Sequence, residues 1–172
     1  MLTLSNAQAR RVFLDRHRLA EAPQGPASGD DLLGLIHSLG FVQLDSINTV
    51  ARAHDLILFS RRPRYRPQAL KSLYEKPGAL FEHWTHDAAV IPLAFYPQWH
   101  LRRQRDAERL RGRWQKDRRE GFEKRFQVVL DQIKTEGPVC SADVGKDEAR
   151  GSGGWWDWHP SKTALEYLWR SG

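Results

Sequence analysis

The chain has 172 residues, with 27 Lys and Arg against 21 Asp and Glu, a formal net charge of +6. Hydrophobic residues at 40% and charged residues at 28% suit one ordinary domain or two very small ones, and no apolar run reaches the roughly 18 residues of a membrane helix, so no bilayer-spanning segment is expected. The single Cys140 excludes an internal disulfide and a Cys-rich zinc module, and the N-terminus lacks the basic and apolar run of a secretory signal, so a cytoplasmic location is expected.

In chain order, Ser5 is placed to cap a helix running to Arg18, with Val12 and Phe13 among its apolar positions. Residues 21–29, rich in Pro and Gly, read as a loop. Asp30 or Asp31 is expected to cap a second helix, whose Leu32, Leu35, Ile36 and Leu39 recur at helical spacing before Gly40 ends it. Residues 41–47 read as a short strand, with Val42 and Leu44 on one face and Gln43 and Asp45 on the other. A more helical stretch over 48–60 follows, then a proline-fixed loop, then a short helix from Pro67 to Glu75 ended by Pro77 and Gly78. Residues 81–85 are strand-like, Asp87 is placed to cap a turn, and a basic helix starts near Pro97.

This first half looks like a winged-helix variant. The second half repeats the idea: a helix over 120–135, a turn at Gly137-Pro138, a very short helix capped by Ser141, the glycine-rich segment 151–154, and a last helix from Ser161 through Trp169. The fold class expected is mainly α with minor β, built of tandem winged-helix units of which the last is incomplete. The boundaries follow: 1–96 as a first unit, 97–118 as a basic connecting helix, and 119–172 as a second unit that stops before its wing, as in an N-terminal fragment.

Net positive charge points to anionic partners, nucleic acid before membrane. Between Arg102 and Phe126 there are eleven Lys or Arg and five Asp or Glu, a run that either tracks a phosphate backbone or forms a solvated, internally paired face. A second cluster, Arg61, Arg62, Arg64 and Arg66, alternates with Pro63, Tyr65 and Pro67. His83 and His86 lack the further ligands zinc needs, so neither a metal nor any other cofactor is expected. Trp155, Trp156 and Trp158 suit either stacking on bases or packing the last helix.

The chemistry-bearing run is Gly40 to Asn48, continuing through Arg52-Ala53-His54-Asp55. On a strand, residues two apart project the same way with Cα atoms roughly 6.6 Å apart, so Gln43 and Asp45 can converge on one water. A carboxylate aligns and partly deprotonates a water and favours a developing cation, and an amide holds that water by hydrogen bonds. A Gln-x-Asp pair on an outer strand face is also common as plain solvated surface.

The same run, with the segments Phe81 to His86, Ala88 to Pro92 and Trp156 to Trp169, resembles the signature of the YcaQ/AlkZ family of winged-helix DNA glycosylases. With Gln43 and Asp45 the chain is similar to the family's Gln-x-Asp branch, which excises N7-alkylated purines and unhooks interstrand crosslinks. The resemblance implies monofunctional hydrolysis in which Asp45 orients the attacking water and stabilises an oxocarbenium-like sugar while Gln43 positions that water. It implies double-stranded DNA with alkylated bases as the partner, a monomer, and no cofactor. Ser46, Asn48, Arg52, His54, Arg61, Arg62 and Arg64 are the implied DNA contacts. For Arg52 and His54 a second reading stands beside this one, a buried hydrogen-bond partner that shapes the cleft. The competing functions are a non-catalytic winged-helix DNA-binding protein, reading DNA with the helix that begins near Ser161, and an inactive truncated fragment.

Overall fold

The computed structural model describes residues 3–117, 121–149 and 158–172. Arg118, Arg119, the glycine-rich segment 151–154 and Trp155, Trp156 and Asp157 lie outside the described residues. The protein is mainly helical with one small sheet, and its contacts divide it into Met1–Pro97 and Gln98–Gly172.

In the first unit, α1 (Asn6–Arg16) opens with a capping box: the Ser5 hydroxyl accepts the Gln8 N–H, and the Gln8 amide accepts the Ser5 N–H. None of its residues is buried, and Val12 and Phe13 are exposed. The second helix, α2 (Gly29–Leu39), buries Leu32, Leu35 and Ile36, as the 3.6-residue period requires. Its N-cap is Ser28, with Asp30 and Asp31 in the first turn where the helix dipole favours them. Gly40 ends it at φ 89°, a conformation open to glycine, and donates to Ile36 O.

The strand expected over 41–47 contracts to β1 (Val42–Gln43). β1 pairs antiparallel with β3 (Ala88–Pro92), Val42 opposite Val90 and Gln43 opposite Ala89, and Leu44 N–H still reaches Ala88 O at 2.8 Å. There the partner runs out: residues 85–87 turn, with Thr85 N–H on Asp87 O and the Asp87 carboxylate accepting Ala88 N–H. Asp45 therefore has no ladder to join. The helix expected over 48–60 begins only at α3 (Ala53–Phe59), after a loop. α4 (Pro67–Glu75) has the expected bounds, Pro67 supplying a fixed φ at a position where an N–H would go unpaired. β2 (Leu80–Trp84) lies on the other side of β3, giving the order β1-β3-β2. The core of this unit joins Leu32, Ile36, Val42, Leu58, Tyr65, Leu70, Leu73 and Val90.

A 3-10 helix over Leu93–Trp99 leads into α5 (His100–Asp117). In the second unit the helix expected over 120–135 divides into a 3-10 turn, Phe122–Arg125, and α6 (Phe126–Glu136). The short helix expected at Ser141 is a turn. The last helix, α7 (Pro160–Ser171), is capped by His159, with Pro160 in its first turn. α7 packs along α5 and α6, which makes the basic helix part of this unit. Its core gathers Leu110, Trp114, Phe122 and Tyr167, and Phe126 stacks on Tyr167 with ring centroids 4.9 Å apart. A second cluster holds Val129, Val144 and Ala164. Among the described residues no helix is long and apolar enough to cross a membrane.

Candidate active site

Val42 is buried and Leu44 packs against the same core, so Gln43 between them faces the other side of the sheet. Its amide forms no hydrogen bond with any described residue and is available to a ligand or water. Asp45 follows at the point where the ladder ends. Its carboxylate oxygen Oδ1 accepts the Ile47 N–H at 2.8 Å, a short local turn of the kind Asp favours. Oδ2 accepts none from the described residues. One oxygen is tethered and the other is open.

The backbone N–H of Asp45 donates to Nδ1 of His54 at 3.0 Å. His54, in the first turn of α3, is buried, and its Nε2 lies 3.9 Å from Oδ2 of Asp55. Oδ1 of Asp55 accepts the Tyr65 hydroxyl at 2.7 Å, and Tyr65 is itself buried in the core. Burial above all pushes the His54 imidazolium toward its neutral form, and the Arg52 charge adds to that; Asp55 and Asp45 work against it, and the net shift is downward. Burial and the Asp55 carboxylate together hold the Tyr65 phenol protonated far above its ordinary range, so it acts as a donor. The series Asp45 N–H, His54, Asp55, Tyr65 thus joins the exit of β1, the start of α3 and the turn before α4.

The other residues expected to contact a ligand fall into three settings. Ser46, Asn48, Arg52 and Arg64 are exposed. Arg52 stands at the N-cap of α3 and lines two clefts, one of about 300 Å³ with Leu44, His54, Asp55, Lys71 and Glu82, and one of about 460 Å³ with Asn48, Val50, Leu56, Phe59 and Tyr65. His54 follows the second of its two sequence readings, a buried hydrogen-bond partner.

Arg61 and Arg62 stand apart, beyond the other end of α3. Arg61 is buried, with Nε donating to His17 O and Nη1 to Ile57 O, both at 2.8 Å. Arg62 donates to Arg61 O and lines a different cleft of about 450 Å³ with Arg18, Glu21, Asp30 and Asp31. The structure brings Asp45, Arg52 and His54 together; it gives Arg61 a structural setting.

Sequence reasoning gave no role to Asp55 or Tyr65. Asp55 stands in the motif itself, next to His54, and Tyr65 is the one aromatic residue inside the Arg-Pro cluster. An acidic residue beside a histidine and a tyrosine among charged residues are the signals that were there to read. On α5 the basic run is partly neutralised: Arg109 pairs with Asp106 at 2.8 Å and Arg111 with Glu123 at 2.7 Å.

A family model described as DNA glycosylase AlkZ-like matches residues 36–172, a span that contains Gln43, Asp45, His54, Asp55 and Tyr65. No solved structure matches the chain.

Proposed function

The chain belongs to the AlkZ-like DNA glycosylase family, and from that premise we propose that it releases N7-alkylated purines from double-stranded DNA, with Asp45 and Gln43 as its catalytic residues. The observation that carries this reading is the state of Asp45, held by its own N–H and by Oδ1 while Oδ2 accepts no hydrogen bond from the described residues. A N7-alkylated purine is cationic, so the bond from C1′ to the base breaks with both electrons going to the base, which leaves neutral. Water adds to C1′, Gln43 holds it by its amide, and its proton passes to the Asp45 carboxylate and then to solvent. The carboxylate charge stabilises the positive sugar in the transition state. A leaving-group acid is unnecessary for a base that departs uncharged.

The site is exposed around Ile47 and Val50 rather than enclosed, which suits bulky lesions, and unhooking of interstrand crosslinks is part of the proposal. Ser46, Asn48, Arg52 and Arg64 are the proposed backbone contacts. A winged-helix arrangement of the first unit is supported by the order α2-β1-α3-α4-β2-β3 and by the pairing of β1 with β3, with α4 the groove-facing helix and residues 85–87 the wing. The competing regulator reading needs α7 as a reading helix. There Arg170 is buried beside Asp106 and Lys162 lies over the Trp158 ring, which leaves little for base edges.

The test is base release from a duplex carrying one N7-methylguanine, with a crosslinked duplex as a second substrate. Asp45→Asn is expected to lower single-turnover release by about 100-fold or more with DNA affinity unchanged. Gln43→Ala is expected to lower it less. A wild-type chain that binds the duplex and releases nothing overturns the reading.

A further inference from the structure

We infer that His54 is a positioning residue for the hydrolysis proposed above, fixing the backbone at Asp45 through Nδ1 so that the open carboxylate oxygen meets the water. The inference rests on the assignment of Asp45 as the water-orienting group. β1 is an edge strand, and because Leu44 N–H points to β3 the next N–H, that of Asp45, points to the open edge, where no strand of this sheet lies. A half-buried N–H without an acceptor is costly, and the loop would rotate to hydrate it. His54 supplies the acceptor from the next helix, nine residues on. Together with the Oδ1 bond to Ile47 N–H, this pins Asp45 at the backbone and at the side chain.

The bond requires a particular tautomer. Nδ1 accepts only if the ring proton sits on Nε2, and Nε2 faces the Asp55 carboxylate, which favours a proton there. Asp55 is held in turn by the buried Tyr65 hydroxyl, which donates to it. A histidine in this state cannot take a proton from water: its basic nitrogen is occupied by the Asp45 N–H and the other already carries hydrogen. The arrangement therefore orients Asp45 and leaves proton transfer to the carboxylate.

His54→Asn and His54→Ala separate acceptor from bulk, because an asparagine amide oxygen falls where Nδ1 stands. In single-turnover release from the N7-methylguanine duplex, His54→Ala is expected to fall 10–100-fold with unchanged DNA affinity, and His54→Asn to recover most of that loss. Tyr65→Phe is expected to lower the rate by a smaller factor. Equal loss in His54→Asn and His54→Ala, both folded by circular dichroism, overturns the acceptor role. So does unchanged release by His54→Ala, or a loss seen in affinity alone. Nitrogen chemical shifts of the His54 ring and hydrogen exchange at the Asp45 amide give a readout independent of activity. An Nε2–H ring and an Asp45 amide protected in wild type and in His54→Asn but not in His54→Ala support the contact; a Nδ1–H ring overturns it. Absence of release from wild type with these signatures intact would overturn the glycosylase reading while upholding the contact.

Discussion

The Asp45 N–H and the His54 Nδ1 are 3.0 Å apart, and that bond exists only while the imidazole is neutral. Protonation puts a hydrogen on the accepting nitrogen and replaces attraction by a clash of two donors. The stability of the loop after β1 is thereby tied to pH.

Below its ordinary value of 6.5, His54 in the unfolded chain binds a proton that burial denies it in the folded chain. The unfolded state then holds more protons, so stability falls as pH drops from 6.5 toward the lowered folded value, by at most about 1.4 kcal/mol per pH unit for one group. Above 6.5 the group contributes no slope. Urea midpoints at pH 7.5, 6.5 and 5.5 should decline less steeply in His54→Asn, which has nothing to protonate, than in the wild-type chain. Parallel declines in both would contradict the assignment.

Glu148 is the corresponding acidic case, in the second unit. Burial works to raise its pKa, but the Ser161 N–H and hydroxyl, then His159 and Arg125, outweigh that and lower it. These contacts are short: Ser161 Oγ at 2.7 Å and N at 2.9 Å, His159 Nδ1 at 2.9 Å, Arg125 Nε at 2.7 Å. The stability they give is present above the ordinary value of 4.5 and lost as pH falls through the lowered folded value. Glu148→Ala leaves the Ser161 N–H and hydroxyl without their acceptor at the start of α7 and should cost about 2–3 kcal/mol. Glu148→Gln, which keeps one acceptor oxygen, should cost less. Thermal melts at pH 7 compare the two.

Much of this was readable from local pattern. Leu32, Leu35 and Ile36 announced α2 by spacing alone, and Pro67 fixed the start of α4, because both signals are carried by the residues that form the element. The end of β1 was not readable in that way. Nothing in residues 41–47 says that the partner strand begins at Ala88 and that residues 85–87 turn away, and so the alternation ran past the true stop. A second non-local fact, the packing of α3 against β1, brings His54 to the Asp45 N–H. Arg61 and Arg64 differ by three positions in one basic cluster, yet one is buried against carbonyls and the other is exposed. Composition treats them alike; only the packing of α1 and α3 tells them apart.

In the second unit Asp106 and Arg170 are both buried, with Oδ2 and Nη2 3.6 Å apart, and Arg109 holds the other Asp106 oxygen. Arg170→Met removes a buried charge that pairs with both Asp106 and Glu166, which should cost about 3 kcal/mol. Replacing both groups, Arg170→Met with Asp106→Leu, should recover part of that loss, because the buried Asp106 carboxylate goes with its partner, while Glu166, 3.7 Å from Arg170, still loses that cation. A double-mutant cycle in urea measures the coupling, and additive losses would show that the two charges do not sense each other.

Arg61→Ala and Arg64→Ala should fail in different ways. Arg61, just past α3, ties that helix to the C-terminal end of α1 through Nε to His17 O, and α1 buries no residue of its own. Its loss should destabilise the chain by about 1–3 kcal/mol and raise hydrogen exchange throughout Asn6–Arg16, with the salt dependence of DNA binding unchanged. Arg64 is exposed, and as a phosphate contact its loss should leave the melt unmoved and lower the slope of log affinity against log salt by about 0.9. Fluorescence anisotropy on an undamaged duplex at several salt concentrations, run beside exchange mass spectrometry, reads both. A lower salt slope in Arg61→Ala with α1 still protected would mean that the buried arginine reaches DNA after all, and that α1 is held by other contacts.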